Sequence, residues 1–141
     1  MNALAILVLL ILICGFFALA EMALAASRRS RLQLLVDAGS HAAARALRIK
    51  ETPSRFIAAT QTGLTTASLL AGIFGENALA AHIENFIATA LPLLAAARSE
   101  IAITVTVIVV TAFAIVFGEI VPKRIALAYP EQVASLVAPF M

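Results

Sequence analysis

Three stretches of the chain are apolar almost without interruption, and the charged residues fall between and after them. Ala3 to Ala20 carries no charged side chain, about the length a membrane-spanning helix needs. The run predicts a helix over 3–26 with Glu21 inside it. Phe56 to about Ala81 is a second such run, and Ile101 to Phe117 a third, rich in β-branched residues. The predicted spans are 3–26, 54–80 and 101–121, the last passing through Gly118 and Glu119 and ending at Pro122, which cannot supply a helical N–H.

The intervening segments are also helical in pattern. Residues 28–52 read as a pair of short helices. One runs from about Ser30 to Ala38 and stops at Gly39; the other starts on Ser40 as N-cap and ends before Pro53. Thr52-Pro53 is an N-cap followed by proline in the first helical position, so the second span starts there. His82, Glu84, Asn85 and Pro92 make 77–97 a poor span, and it reads as an amphipathic stretch at the outer surface. From about residue 130 the pattern is that of a juxtamembrane surface helix. The expectation is an all-α integral membrane protein. It has three transmembrane helices, a cytoplasmic helical pair and a C-terminal juxtamembrane helix in one domain, 1–141.

Composition sharpens this picture. Of 141 residues, 62% are hydrophobic and 13% charged, where soluble domains carry about 25% charged residues. Mean hydropathy is +1.03. Seven of the ten basic residues lie in 27–55, namely Arg28, Arg29, Arg31, Arg45, Arg48, Lys50 and Arg55. The positive-inside rule puts that segment in the cytoplasm and the N-terminus outside, and Lys123 and Arg124 return the chain to the cytoplasm. The predicted location is the inner membrane. Ala18-Leu19-Ala20 has the form of a signal-peptidase site, but no basic residue precedes the apolar run, so the helix is read as retained. Ile13 before Cys14 argues against a lipoprotein. One cysteine builds no disulfide framework, and a formal charge of +2 gives no reason to expect nucleic acid.

Intramembrane acids are the candidate chemistry. A carboxylate at membrane depth costs about 2.5–3.5 kcal/mol on insertion scales, and is a functional hypothesis by default. Glu21 lies ~8 Å and Thr62 and Thr65 ~9–14 Å from the cytoplasmic helix ends at ~1.5 Å per residue. Glu119 is a few residues from the same side. Glu76 is at the opposite end and reads as interfacial. Helical rotation sets Gln61, Thr65, Ser68, Gly72, Gly75 and Glu76 on one stripe, Thr104, Thr111 and Gly118 on another with Glu119 beside it, and Cys14, Ala18, Glu21 and Ala25 on a third. Small and hydroxyl residues on a stripe also serve close helix packing, which explains the hydroxyls singly but not the glutamates. Carboxylate, hydroxyl, amide and backbone oxygen are hard donors suited to Mg²⁺, Ca²⁺ or Na⁺. Proline at 122 is expected to free the carbonyl of Gly118 as a further ligand.

Gly118-Glu119-Ile120-Val121-Pro122-Lys123 resembles the G-E-[hydrophobic]-x-P-K signature of the CorC/CNNM family of magnesium transporters, whose members include haemolysin-like proteins. Phe16-Phe17-Ala18-Leu19-Ala20-Glu21-Met22-Ala23-Leu24 is similar to its first-helix pattern, Arg29-Ser30-Arg31-Leu32 to the R-x-R-L after it, and Thr60-Gln61-Thr62-Gly63 to its polar second-helix segment. The resemblance implies a homodimer in the lipid bilayer that exports Mg²⁺, with Na⁺ as candidate coupling ion. It implies a metal site at Glu119, Gly118, Thr65, Thr62, Gln61 and Glu21. The family's first-helix serine is Ala20 or Ala26 here, and the asparagine after its second-helix glycine is replaced by Leu64 and Thr65, leaving Gln61, Thr62 and Thr65 as substitute ligands. Full members continue into paired CBS domains that bind adenine nucleotides. The chain is therefore expected to be a membrane domain cut from a longer protein, with ATP bound only through domains outside it. The competing reading is a membrane-anchoring, dimerising sensor or scaffold without ion flux. No enzyme is expected, since His41 and His82 sit in separate segments with no nucleophile at their depth.

Overall fold

A computed structural model describes residues 2–90 and 97–140, whose regular structure is entirely helical. In chain order the elements are α1 (Ala3–Ala26), α2 (Arg29–Asp37), α3 (His41–Glu51), α4 (Pro53–Ala90) and α5 (Arg98–Ile115). A π-helical turn (Val116–Ile120), α6 (Val121–Ala128), α7 (Pro130–Val137) and a closing 3₁₀ turn (Ala138–Phe140) follow. Among the described residues three helices are long and apolar enough to cross a membrane: α1, α4, and α5 with its continuation through α6. Their large apolar side chains point outward. Leu9, Leu12, Leu69, Ile73, Ile108 and Phe113 are all exposed, as lipid-facing residues must be in a bundle whose solvent is hydrocarbon.

Two cores hold the bundle. The first lies between the spans and consists of Leu7, Leu10 and Cys14 of α1, Ala67 and Ala71 of α4, and Val110 of α5. Small residues bring the helices close. A Cβ on Gly63 would fall 2.6 Å from the Phe17 ring, and one on Gly75 2.6 Å from Val110 Cγ1. Without a hydrophobic driving force between helices in lipid, such close van der Waals contact is what holds them together.

The second core sits at the basic end, where α2, α3 and α7 wrap the C-terminal end of α1. Ala20, Ala23 and Leu24 meet Leu32, Ala43, Ala46, Phe56, Ala126, Val133 and Val137 there. Gly39, at φ +90°, lets the chain turn between α2 and α3. Its N–H bonds the Val36 carbonyl at 2.8 Å and that of Ser40 the Leu35 carbonyl at 3.0 Å, which closes α2. Ser40 Oγ then accepts from the Ala43 N–H at 3.2 Å and opens α3. This folding back delivers Lys50 to the end of α1, where Nζ donates to the carbonyls of Leu24 (2.8 Å) and Ser27. A cation there answers the last free carbonyls and the negative end of the helix dipole. Glu131 of α7 accepts from the Arg28 N–H at 3.2 Å and ties the last helix to the same corner.

Two sequence expectations need correcting. Pro122 does not end the third long helix, which continues to Ala128. The π turn immediately before it widens the helix by one residue, and Val121 N–H reaches back to the Val116 carbonyl, so the proline is absorbed in a continuous rod rather than breaking it. The second helix likewise does not stop near residue 80 but runs to Ala90. Asn77, His82, Glu84 and Asn85 lower its hydropathy without breaking a helix. Pro92, the breaker in that stretch, lies outside the described residues.

Candidate functional site

The π turn carries the candidate site. It puts Gly118 against α1, where an added Cβ would lie 3.1 Å from Cys14 Cβ and 3.5 Å from the Ile11 carbonyl oxygen. Gly15 makes the reciprocal approach, its would-be Cβ 3.2 Å from Pro122 Cγ. A side chain at either position would fit only if these neighbours gave way by a few tenths of an ångström. One residue on, Glu119 sits at the lip of a cavity of about 140 Å³ between α1, α4 and α5. Cys14, Ser68, Gly72, Thr111 and Gly118 line it with Glu119, and its size admits a small cation or a few waters. Cys14 Sγ and Ser68 Oγ are 3.6 Å apart across it.

Glu119 has its counter-charge on its own helix. Lys123 Nζ donates to Glu119 Oε1 at 2.5 Å, with the lysine side chain 28% and the glutamate 44% exposed. The pair is therefore neutralised but not sealed, and an incoming cation would compete with Lys123 for the carboxylate.

The six residues expected to form one site fall into separate places. Glu119 and Gly118 share the cavity. Glu21 does not reach it. Glu21 Oε1 accepts from Gln61 Nε2 at 2.9 Å on the α1–α4 face, beside a second depression lined by Glu21, Ala25, Lys50 and Phe56. Thr62 Oγ1 donates to the Ala58 carbonyl of its own helix at 2.8 Å, and Thr65 is exposed outside the cavity lining. The hydroxyls that do line the cavity with Glu119 are Ser68 and Thr111. Both lie on the helical stripes read from the sequence, which do not say which of their members meet Glu119. Among the described residues no group of three His, Cys, Asp or Glu stands close enough to hold a metal ion.

A three-span, all-α membrane domain with a carboxylate at a π-helical turn is the class these features define. The chain belongs to the CorC/CNNM family: the Cyclin M transmembrane N-terminal domain matches residues 5–141. Among curated relatives, the UPF0053 protein sll0260 of Synechocystis sp. is 36% identical over 94% of this chain and 29% of its own length. The Polyamine export protein of Haemophilus influenzae is 35% identical over 95% of this chain and 31% of its own. The uncharacterized protein Rv1841c of Mycobacterium tuberculosis is 34% identical over 99% and 40%. The chain thus spans between 29% and 40% of the length of these relatives. The family is one of membrane domains.

Proposed function

We propose that this domain is the membrane-spanning part of a cation exporter in which Glu119 anchors the transported cation. The observation that carries the reading is a carboxylate lining a cavity among three membrane helices and neutralised by Lys123. Helix packing alone gives no reason to place a carboxylate there, at a cost of about 2.5–3.5 kcal/mol. With the cavity empty, Lys123 supplies the charge; when cargo arrives, its cation takes the lysine's place on Glu119 Oε1.

The cargo class best supported is an organic polycation. A relative aligned over 95% of the chain carries the name Polyamine export protein. One carboxylate, the hydroxyls of Ser68 and Thr111 and apolar walls also suit an ammonium group, which offers three donors and needs no fixed geometry. Mg²⁺, with Na⁺ as coupling ion, is the second reading, favoured by the 118–123 hexapeptide. Mg²⁺ demands near-octahedral oxygen coordination and sheds water reluctantly, so this donor set suits an ion that keeps most of its waters. The proposed topology has the N-terminus outside and the basic 27–55 segment in the cytoplasm of an inner membrane, in a homodimer. Flux of labelled putrescine and of Mg²⁺ in proteoliposomes holding the full-length protein tests the reading. Flux of one cation that Glu119→Gln removes supports it; no flux of either from folded protein would leave the sensor or scaffold.

A further inference from the structure

The Glu119 cavity adjoins another depression. This one, about 250 Å³ in volume, runs along the α4–α5 seam and shares Gly72, Val110 and Thr111 with the first. Gly72 is the junction: it lines both, is exposed, and a Cβ built there meets nothing within 4 Å.

Glu76 lines the far end. It is exposed, and it makes no hydrogen bond or ion pair with the described residues. Packing does not account for it, because the α4–α5 contact at this level is made by its neighbour Gly75 against Val110. Glu76 stands eight positions beyond Ser68, which lines the Glu119 cavity; along a helix that is a separation of ~12 Å. Leu69, Ile73, Val107 and Val110 form the apolar wall beyond the junction.

A single metal ion, whose ligands stand about 2.0–2.6 Å away, cannot use both carboxylates. A linear molecule with an ammonium at each end can, its alkyl chain lying on the apolar wall as a lysine stem lies on apolar surface. We propose that the α4–α5 groove is a two-point site for a linear polyamine, one ammonium on Glu119 and another on Glu76. This rests on the reading of Glu119 as a cation anchor and names the second anchor.

The test is calorimetric titration of the purified protein in detergent with α,ω-diaminobutane and α,ω-diaminooctane. The two probes carry the same charge and differ in span. The wild type is expected to bind the longer diamine about tenfold more tightly, because its second ammonium attaches intramolecularly. Glu76→Gln should erase that preference, and Glu119→Gln should remove binding of both. Equal affinities in the wild type, or a length preference that survives Glu76→Gln, would overturn the two-point site while Glu119-dependent binding left the cation anchor standing. Absence of binding by both diamines would overturn the two-point site and the organic polycation as cargo.

Discussion

Lys123 reaches Glu119 across one helical turn, with Nζ 2.5 Å from Oε1, and Pro122 lies between them in the sequence. The turn that absorbs the proline thus also carries the acid that lines the cavity, with its counter-charge four residues later. The ion pair is neutral in sum, and under the proposed reading cargo would have to compete with a tethered ammonium.

Removing that competitor should tighten binding. Lys123→Met is expected to raise the affinity of Glu119 for an added cation, and Lys123→Arg to preserve the competition. Because both side chains are partly solvated, the effect of Lys123→Met on stability should stay within about 1 kcal/mol. Calorimetric titration with putrescine checks the affinity, and thermal unfolding in detergent the stability. Weaker binding by Lys123→Met would show the lysine to be part of the cargo site rather than its rival.

The glycines of α4 should respond differently to alanine. At Gly75 the new methyl would meet Val110, a short β-branched side chain with little freedom to move, and a loss of about 1–3 kcal/mol is expected from overpacking. At Gly63 it meets the tip of the Phe17 ring, which can swing aside, so the loss should be smaller. Gly72→Ala meets nothing and should stabilise by up to about 1 kcal/mol through helix propensity. Melting temperatures of the three variants give the order.

Lys50 is expected to hold α1 to the basic-end core. Lys50→Met removes donors to the Leu24 and Ser27 carbonyls and should cost about 1–2 kcal/mol, the range for a partly buried cation at a helix C-terminus. A melting curve that does not move would reduce these contacts to surface decoration.

Glu21 should couple to Gln61 and not to Glu119. A double-mutant cycle on Glu21→Gln and Gln61→Leu is expected to give a coupling of about 0.5–1 kcal/mol. The cycle on Glu21→Gln and Glu119→Gln should be additive within about 0.5 kcal/mol. Strong coupling between the two glutamates would merge them into one site.

The spans were legible because hydrocarbon demands long apolar runs, and no other arrangement of Ala3–Ala20 or Ile101–Phe117 satisfies that demand. Gly39 and Ser40 marked the turn of the helical pair for an equally local reason. Pro122 misled because the rule that proline ends a helix assumes a regular α-helix upstream, whereas the wider turn at Val116–Ile120 accommodates it. The end of α4 was missed because lowered hydropathy at Asn77–Asn85 is a statement about solvent, not about helix formation. At the site, periodicity marks the stripes holding Cys14, Ser68 and Thr111, but it cannot rank members of one stripe, and Ser68 rather than Thr65 lines the cavity. The Lys123–Glu119 pair has an i, i+4 spacing visible in the sequence, where Lys123 serves only as a topology signal. The contact of Lys50 with α1 depends on α3 folding back, which no local pattern encodes.

The most direct test of Glu119 as a cation anchor is thermal stability of the purified protein in detergent, titrated with putrescine, Mg²⁺ and Na⁺, beside Glu119→Gln. A cation bound only by the folded state stabilises by RT ln(1 + [L]/Kd), about 2.7 kcal/mol at a hundredfold excess over Kd. Selective stabilisation by one cation, lost in Glu119→Gln while the unliganded variant stays folded, is the predicted result, and the responding cation identifies the cargo class. Equal stabilisation of wild type and Glu119→Gln, or no response to any of the three, would contradict the account.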